Sequence, residues 1–122
     1  MIRNRLLILI ASGLAMSVVV FAADITGTWT ASFDTQIGPQ NYTYTFKVEG
    51  NKLTGHAKGT YSDADIAEGT INGDDIAFVE NMTYDGMPLR IVYKGKISGD
   101  EIKLTRTILE MFTEEAVAKR AK

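Results

Sequence analysis

Apolar and polar side chains alternate through most of this chain, the spacing of strands that turn one face to a core and the other to water. Trp29, Ala31 and Phe33 alternate with Thr28, Thr30 and Ser32, and Tyr42, Tyr44 and Phe46 with Thr43, Thr45 and Lys47. Residues 52–59 place Leu53, Gly55, Ala57 and Gly59 on one face and Lys52, Thr54, His56 and Lys58 on the other. A pattern G-x-I-x-G-D-acid-I then occurs twice, as Gly69-Thr70-Ile71-Asn72-Gly73-Asp74-Asp75-Ile76 and Gly95-Lys96-Ile97-Ser98-Gly99-Asp100-Glu101-Ile102. Val48-Glu49-Gly50-Asn51-Lys52-Leu53 is a looser third copy. Each copy predicts a β-hairpin, because Gly followed by Asp or Asn makes a two-residue type I′ or II′ loop and Gly supplies its positive φ.

With those loops, Val48 faces Leu53, Ile71 faces Ile76 and Ile97 faces Ile102, all aliphatic pairs. A slip of one residue would turn every one of them over. Asp85-Gly86 predicts a further hairpin and tests the register. It sets Phe78 against Tyr93, Glu80 against Ile91 and Met82 against Leu89, and so keeps the same inner face, which Ile102, Leu104, Arg106 and Ile108 then continue. Residues 36–41, with Gly38-Pro39 inside, read as a long loop, and residues 62–65 as a polar one. Thr113-Glu114-Glu115 resembles a helix N-cap followed by acids, so one helical turn is expected there and a short eighth strand over residues 117–122. The fold class is all-β: a single antiparallel up-and-down meander closing into an eight-stranded barrel, which removes exposed edges and leaves an interior filled by side chains or holding one small ligand.

The N-terminus breaks the alternation. Arg3 and Arg5 precede a nearly unbroken apolar run to Ala23, the form of a secretory signal peptide, residues 1–22, with Val20 and Ala22 before the cut. An uncleaved membrane anchor is the rival reading. Residues 23–122 then form the β-barrel domain, and the destination is secreted or periplasmic, with no membrane association after cleavage. The chain of 122 residues has no cysteine, so neither disulfides nor a lipid-modified cysteine contribute. Loss of Arg3 and Arg5 leaves 11 basic against 15 acidic residues, a net charge of −4, which argues against nucleic acid as a partner.

Arg106 and Glu80 are the charges that the register places inside, where burial demands a partner. Tyr42, Tyr44 and Tyr93 also point inward, as does Phe33, while Gly55, Ala57, Gly59, Ala67, Gly69 and Gly95 leave room opposite. Two readings follow. The large residues fill the space left by the small ones, or Tyr42, Tyr44, Tyr93, Glu80 and Arg106 line a binding pocket with residues 36–41 and 61–65 at its mouth. Tyrosine offers a flat apolar face and a hydroxyl, which suits a small molecule or a carbohydrate. Outside, Val79 facing Val92 beside Thr107 forms a small apolar patch.

His56, the single histidine, falls on the outer face. No metal site is expected, because metal ligands come in clusters, and no cofactor is expected. Serine-histidine-aspartate catalysis lacks a G-x-S-x-G setting, and glycoside hydrolysis lacks a second inward carboxylate, so no catalytic residues are predicted.

Gly27-Thr28-Trp29 on the first strand, with Arg106 inward on a late one, resembles the calycin pattern of lipocalins and avidin-like proteins. Lys52-Leu53-Thr54-Gly55 adds to a likeness with the opening of an avidin-type barrel. The resemblance implies a closing pair in which the Trp29 indole packs beneath Arg106. Trp29 is the only tryptophan, so the aromatic cage of the biotin-binding members is not reproduced. The chain also resembles small secreted bacterial domains, some fused to carbohydrate-active enzymes. The expected function is a non-catalytic barrel that binds a small ligand; the alternative is a non-catalytic interaction or accessory module associated with such enzymes that works through its outer surface.

Overall fold

The computed structural model describes residues 24–121, so the signal-peptide expectation for residues 1–22 lies outside the described residues. The strands are β1 (Gly27–Thr35), β2 (Gly38–Glu49), β3 (Lys52–Lys58), β4 (Asp63–Asp65), β5 (Ala67–Asn72), β6 (Asp75–Tyr84), β7 (Met87–Ser98), β8 (Glu101–Ile108) and β9 (Phe112–Arg120). Apart from β4 and β5, neighbours in sequence pair antiparallel, and β1 pairs with β9 through Trp29 opposite Arg120 to close the ring. Strands β4 and β5 both pair with β3 and act as one interrupted strand, so the barrel has eight staves.

The aliphatic pairs of the repeats are cross-strand partners, and the Asp85-Gly86 hairpin keeps Phe78 opposite Tyr93 and Glu80 opposite Ile91. At Gly50, Gly73 and Gly99 the first loop residue alone has positive φ, near +60°, as type II′ requires; Asp85 and Gly86 both have it, as type I′ requires. These three Gly-Asp or Gly-Asn turns stand at one end of the barrel. The turns between β1 and β2, β6 and β7, and β8 and β9 stand at the other.

Four expectations need correction. The long loop over residues 36–41 is a two-residue turn, with Pro39 already inside β2 opposite Asp34. Thr35 holds it: its hydroxyl accepts from the Ile37 N–H at 3.2 Å and donates to the Gly38 carbonyl at 2.6 Å. Thr113-Glu114-Glu115 is strand, not a helical turn, because β9 pairs with β8 from Phe112 to Lys119. Asp63–Asp65, expected in a loop, pairs with β3. Of the outer patch, Val92 is exposed but Val79 is buried, which leaves no paired valine surface.

From the Gly-Asp end up to the level of Tyr42 and Tyr93 the interior is solid. Trp29, Phe33, Tyr42, Tyr44, Phe46, Phe78 and Tyr93 are all buried. Tyr42, Tyr44 and Phe46 stack along β2, and Phe78 stacks on Tyr93 at 4.4 Å. The glycines opposite leave no void: a Cβ on Gly59 would meet the Tyr42 ring at 2.7 Å, and one on Gly95 would meet Ile76 at the same distance.

Candidate functional site

The barrel is sealed at the Gly-Asp end by the segment that precedes β1. Ile25 is buried there, and its carbonyl accepts from the Trp29 indole N–H at 2.9 Å. The cation over the indole is Arg120, its Cζ 4.5 Å from the ring centre, and not Arg106 as the calycin resemblance implied. Arg120 also donates to the carbonyls of Thr26 and Asp24 and to Asp100, and so ties the entering strand to the leaving one. The resemblance holds in kind, a basic side chain over the G-x-W tryptophan, but the residue that serves is Trp29's neighbour across the β1–β9 seam.

Arg106 sits higher in the lumen. Its Cζ lies 4.0 Å from the Phe33 ring centre and 5.1 Å from that of Tyr42. It belongs to a polar layer that crosses the barrel. Tyr42 donates to Glu80 Oε2 at 2.9 Å, and Tyr93 donates to Glu80 Oε1 at 2.7 Å. The Tyr93 oxygen in turn accepts from Tyr44 at 2.9 Å and from Arg106 Nη1 at 3.0 Å. Arg106 Nε donates to Glu114 Oε1 at 2.7 Å, across the β8–β9 pair in which the two residues are partners. Charged groups this deep stay only when such bonds replace water.

Burial pushes the Tyr42 hydroxyl up to about 12, with the nearby Glu80 charge adding to it. Burial does the same, more strongly, to Tyr44 and Tyr93, so the tyrosines stay protonated donors throughout the physiological range. For Arg106 burial alone would lower the value. Tyr93, Tyr42 and Glu114 together outweigh it and hold the guanidinium charged.

Four of the expected ligand-contacting residues, Tyr42, Tyr44, Tyr93 and Glu80, are thus bonded to one another beneath any space a ligand could enter. Of the five, Arg106 alone is in the lining of the large cavity. Above the polar layer the barrel opens into a cup of about 750 Å³, within the range of small-molecule sites. Arg106, Gln40 and Ile91 lie toward its floor and Met82, Leu89 and Ile108 line its wall. Ile37, Met87, Leu109, Met111 and Phe112 form its rim, on the three turns of that end, and all five are large apolar side chains exposed to solvent. Glu114, also in the lining, is a half-buried carboxylate that the helix expectation concealed. Leu109 and Glu110 adopt positive φ without glycine, an unfavourable conformation that turns Leu109 to the rim.

A smaller recess beside the cup shares Met82 and Leu89 with it and is bounded by Tyr61, Ser62, Asp63 and Ala64, so residues 61–64 of the segment expected at the mouth line this recess and not the cup itself. There β6 from Asn81 onward pairs with β7 only, because β5 meets β6 no further than Ala67 opposite Val79. His56 lies outside on β3 and joins it to β4, through Nδ1 to Asp65 at 2.9 Å and Nε2 to Asp63. Those bonds raise its pKa, the Asp65 bond most. Among the described residues, no three histidine, cysteine or carboxylate side chains are placed to hold a metal.

No protein-family model matches this chain, and no curated protein is similar to it in sequence. A crystal structure of a mutant of the fluorescent protein UnaG superposes with a TM-score of 0.52 at 14% identity, over 80% of this chain and 96% of that one. An SAHS (abundant heat soluble) protein from Ramazzottius varieornatus superposes more loosely, with a TM-score of 0.44 at 13% identity over 84% of this chain and 100% of its own. At such identity the likeness to UnaG is one of fold alone, and that fold is the calycin-like antiparallel barrel.

Proposed function

We propose that this protein is a non-catalytic carrier or receptor for a small, mainly apolar molecule, held in the cup above the Glu80, Tyr93 and Arg106 layer. The observation that carries this reading is a 750 Å³ cup whose wall is aliphatic and methionine and whose polar contacts converge at its floor. Methionines at 82, 87 and 111 adapt their shape to an occupant. Five of the large apolar side chains left exposed surround the mouth, whereas Val92 and Val117 stand apart on the outer wall. That distribution favours the lumen over the outer-surface module. The tyrosines that would stack on a sugar are buried and bonded elsewhere, so an apolar ligand fits better than a carbohydrate. The basic and then apolar N-terminal segment supports a secreted or periplasmic setting.

The test is saturable binding of Nile red, an uncharged dye whose emission shifts to the blue in apolar surroundings. One site per chain is expected. Leu89→Trp, which adds bulk to the cup wall, is expected to remove binding while the far-ultraviolet circular dichroism and melting temperature hold. Dye emission that never saturates, or that Leu89→Trp leaves unchanged, would refute the reading.

A further inference from the structure

The side chains of the cup also bear on the charge of its occupant. Arg106 is the only cationic residue in the lining, which holds three carboxylates: Asp34 and Asp85 at the mouth and Glu114 inside. The guanidinium is not available as a counter-charge. Its Nε is bonded to Glu114, and its Nη1 to the Tyr93 hydroxyl, which passes that contact on to Glu80. One buried cation is therefore shared between two acidic side chains, Glu114 in the cup lining and, through Tyr93, Glu80 beneath it, and is committed before any ligand arrives. An anionic head group entering there would lose its water beside like charge, the arrangement that disfavours a partner most strongly. One hydrogen-bond donor remains, however. Arg106 is in the lining of the cup, and Nη2 is the one of its nitrogens with no acceptor in hydrogen-bond geometry among the described residues. The Gln40 amide stands nearby in the lining, bonded at 3.4 Å to the Thr35 hydroxyl.

Resting on the ligand-binding reading above, we infer that the cup selects an uncharged amphiphile, an apolar body with one neutral acceptor such as an alcohol, amide or ester oxygen at its head, and rejects the corresponding carboxylate. The neutral oxygen accepts from Arg106 Nη2 without disturbing the Glu114 and Tyr93 bonds. A carboxylate would have to compete with Glu114 for the same guanidinium.

Displacement of Nile red by 1-dodecanol and by dodecanoate, equal in chain length and compared at pH 7 and low salt, tests this. The alcohol is expected to displace the dye at a concentration lower by about tenfold or more, the scale of a like-charge contact. Glu114→Gln removes one negative charge and keeps a hydrogen-bonding side chain, and is expected to narrow that ratio by improving dodecanoate. Should Glu114→Gln fail to fold, Asp85→Asn in the type I′ turn, where asparagine is well tolerated, is expected to move the ratio the same way by less. Dodecanoate binding as tightly as dodecanol overturns the inference and leaves the ligand-binding reading standing. If neither molecule displaces a dye that binds saturably, the inference fails and the ligand-binding reading stands on the dye; if the dye itself does not bind saturably, both fail.

Discussion

Tyr93→Phe removes a single oxygen from the middle of the barrel, and the geometry sets its cost. That oxygen donates to Glu80 and accepts from Tyr44 and from Arg106, at 2.7, 2.9 and 3.0 Å. Its loss leaves one oxygen of a buried carboxylate and one N–H of a buried guanidinium with fewer bonds, and the Tyr44 hydroxyl with none. Bonds to charged groups contribute about 1.5–3 kcal/mol and neutral ones about 0.5–1.5 kcal/mol, so the expected loss is roughly 3–5 kcal/mol, allowing for partial rearrangement. Tyr44→Phe deletes one neutral bond and is expected to cost about 0.5–1.5 kcal/mol. Tyr42→Phe, which loses one bond to Glu80, falls between them. Urea unfolding at neutral pH measures all three from the midpoint, provided the slope is unchanged. The order Tyr93, Tyr42, Tyr44 is the firm part of the expectation. If Tyr44→Phe costs as much as Tyr93→Phe, or Tyr93→Phe costs less than about 1 kcal/mol, Tyr93 is not the hub described.

Arg120→Met should destabilise by about 1–2 kcal/mol through loss of the cation over Trp29, and should change the emission of that sole tryptophan, whereas Arg106→Met should leave the emission nearly as it was. Gly69→Ala, whose Cβ would lie 2.0 Å from the Leu53 carbonyl oxygen, should be far more damaging than Gly73→Ala, which meets nothing and bears only a strained φ costing roughly 1 kcal/mol; equal melting temperatures would contradict the close approach. The His56 clasp should add stability below the ordinary histidine value of 6.5 and lose it as pH rises through the raised folded value. Its lower limit is set by Asp63, held low chiefly by its bond to His56. The single histidine gives one imidazole Cε1 proton resonance, whose midpoint should lie above 6.5 and fall when Asp65 is changed to Asn.

The hairpins were legible because glycine is the residue their turns demand, and the inner face followed from them without further information. What the pattern hid was the last hairpin. Leu109 and Glu110 take positive φ with no glycine to announce it, so the turn left no mark and Thr113-Glu114-Glu115 read as a helix cap. Everything that depended on β9 was displaced with it: Glu114 was not seen as Arg106's partner, nor Arg120 as the cation opposite Trp29. Pro39 misled for a different reason. It pairs with β1 on one side only, since β3 meets β2 no earlier than Thr43, and an edge position tolerates a residue without an N–H. Alternation correctly placed Tyr42, Tyr44 and Tyr93 inside, but no periodicity tells whether a hydroxyl bonds to a ligand or to Glu80.

The polar layer of Glu80, Tyr93 and Arg106 acts as a bulkhead, and it divides the chain's tolerance to change. Below it each side chain is packed against several others, and substitutions there act on the whole fold. Above it Met82 and Leu89 pack against the core on one side and border the cup on the other, and Met87 and Met111 stand exposed at the rim, so exchanging the rim residues alters the shape of the cup with little reach into the core. A lineage carrying this barrel can therefore change what it holds by drift at the rim, at small cost in folding. The same division recommends the scaffold for directed evolution of new ligand preferences, with randomisation confined to the mouth and the layer beneath left intact.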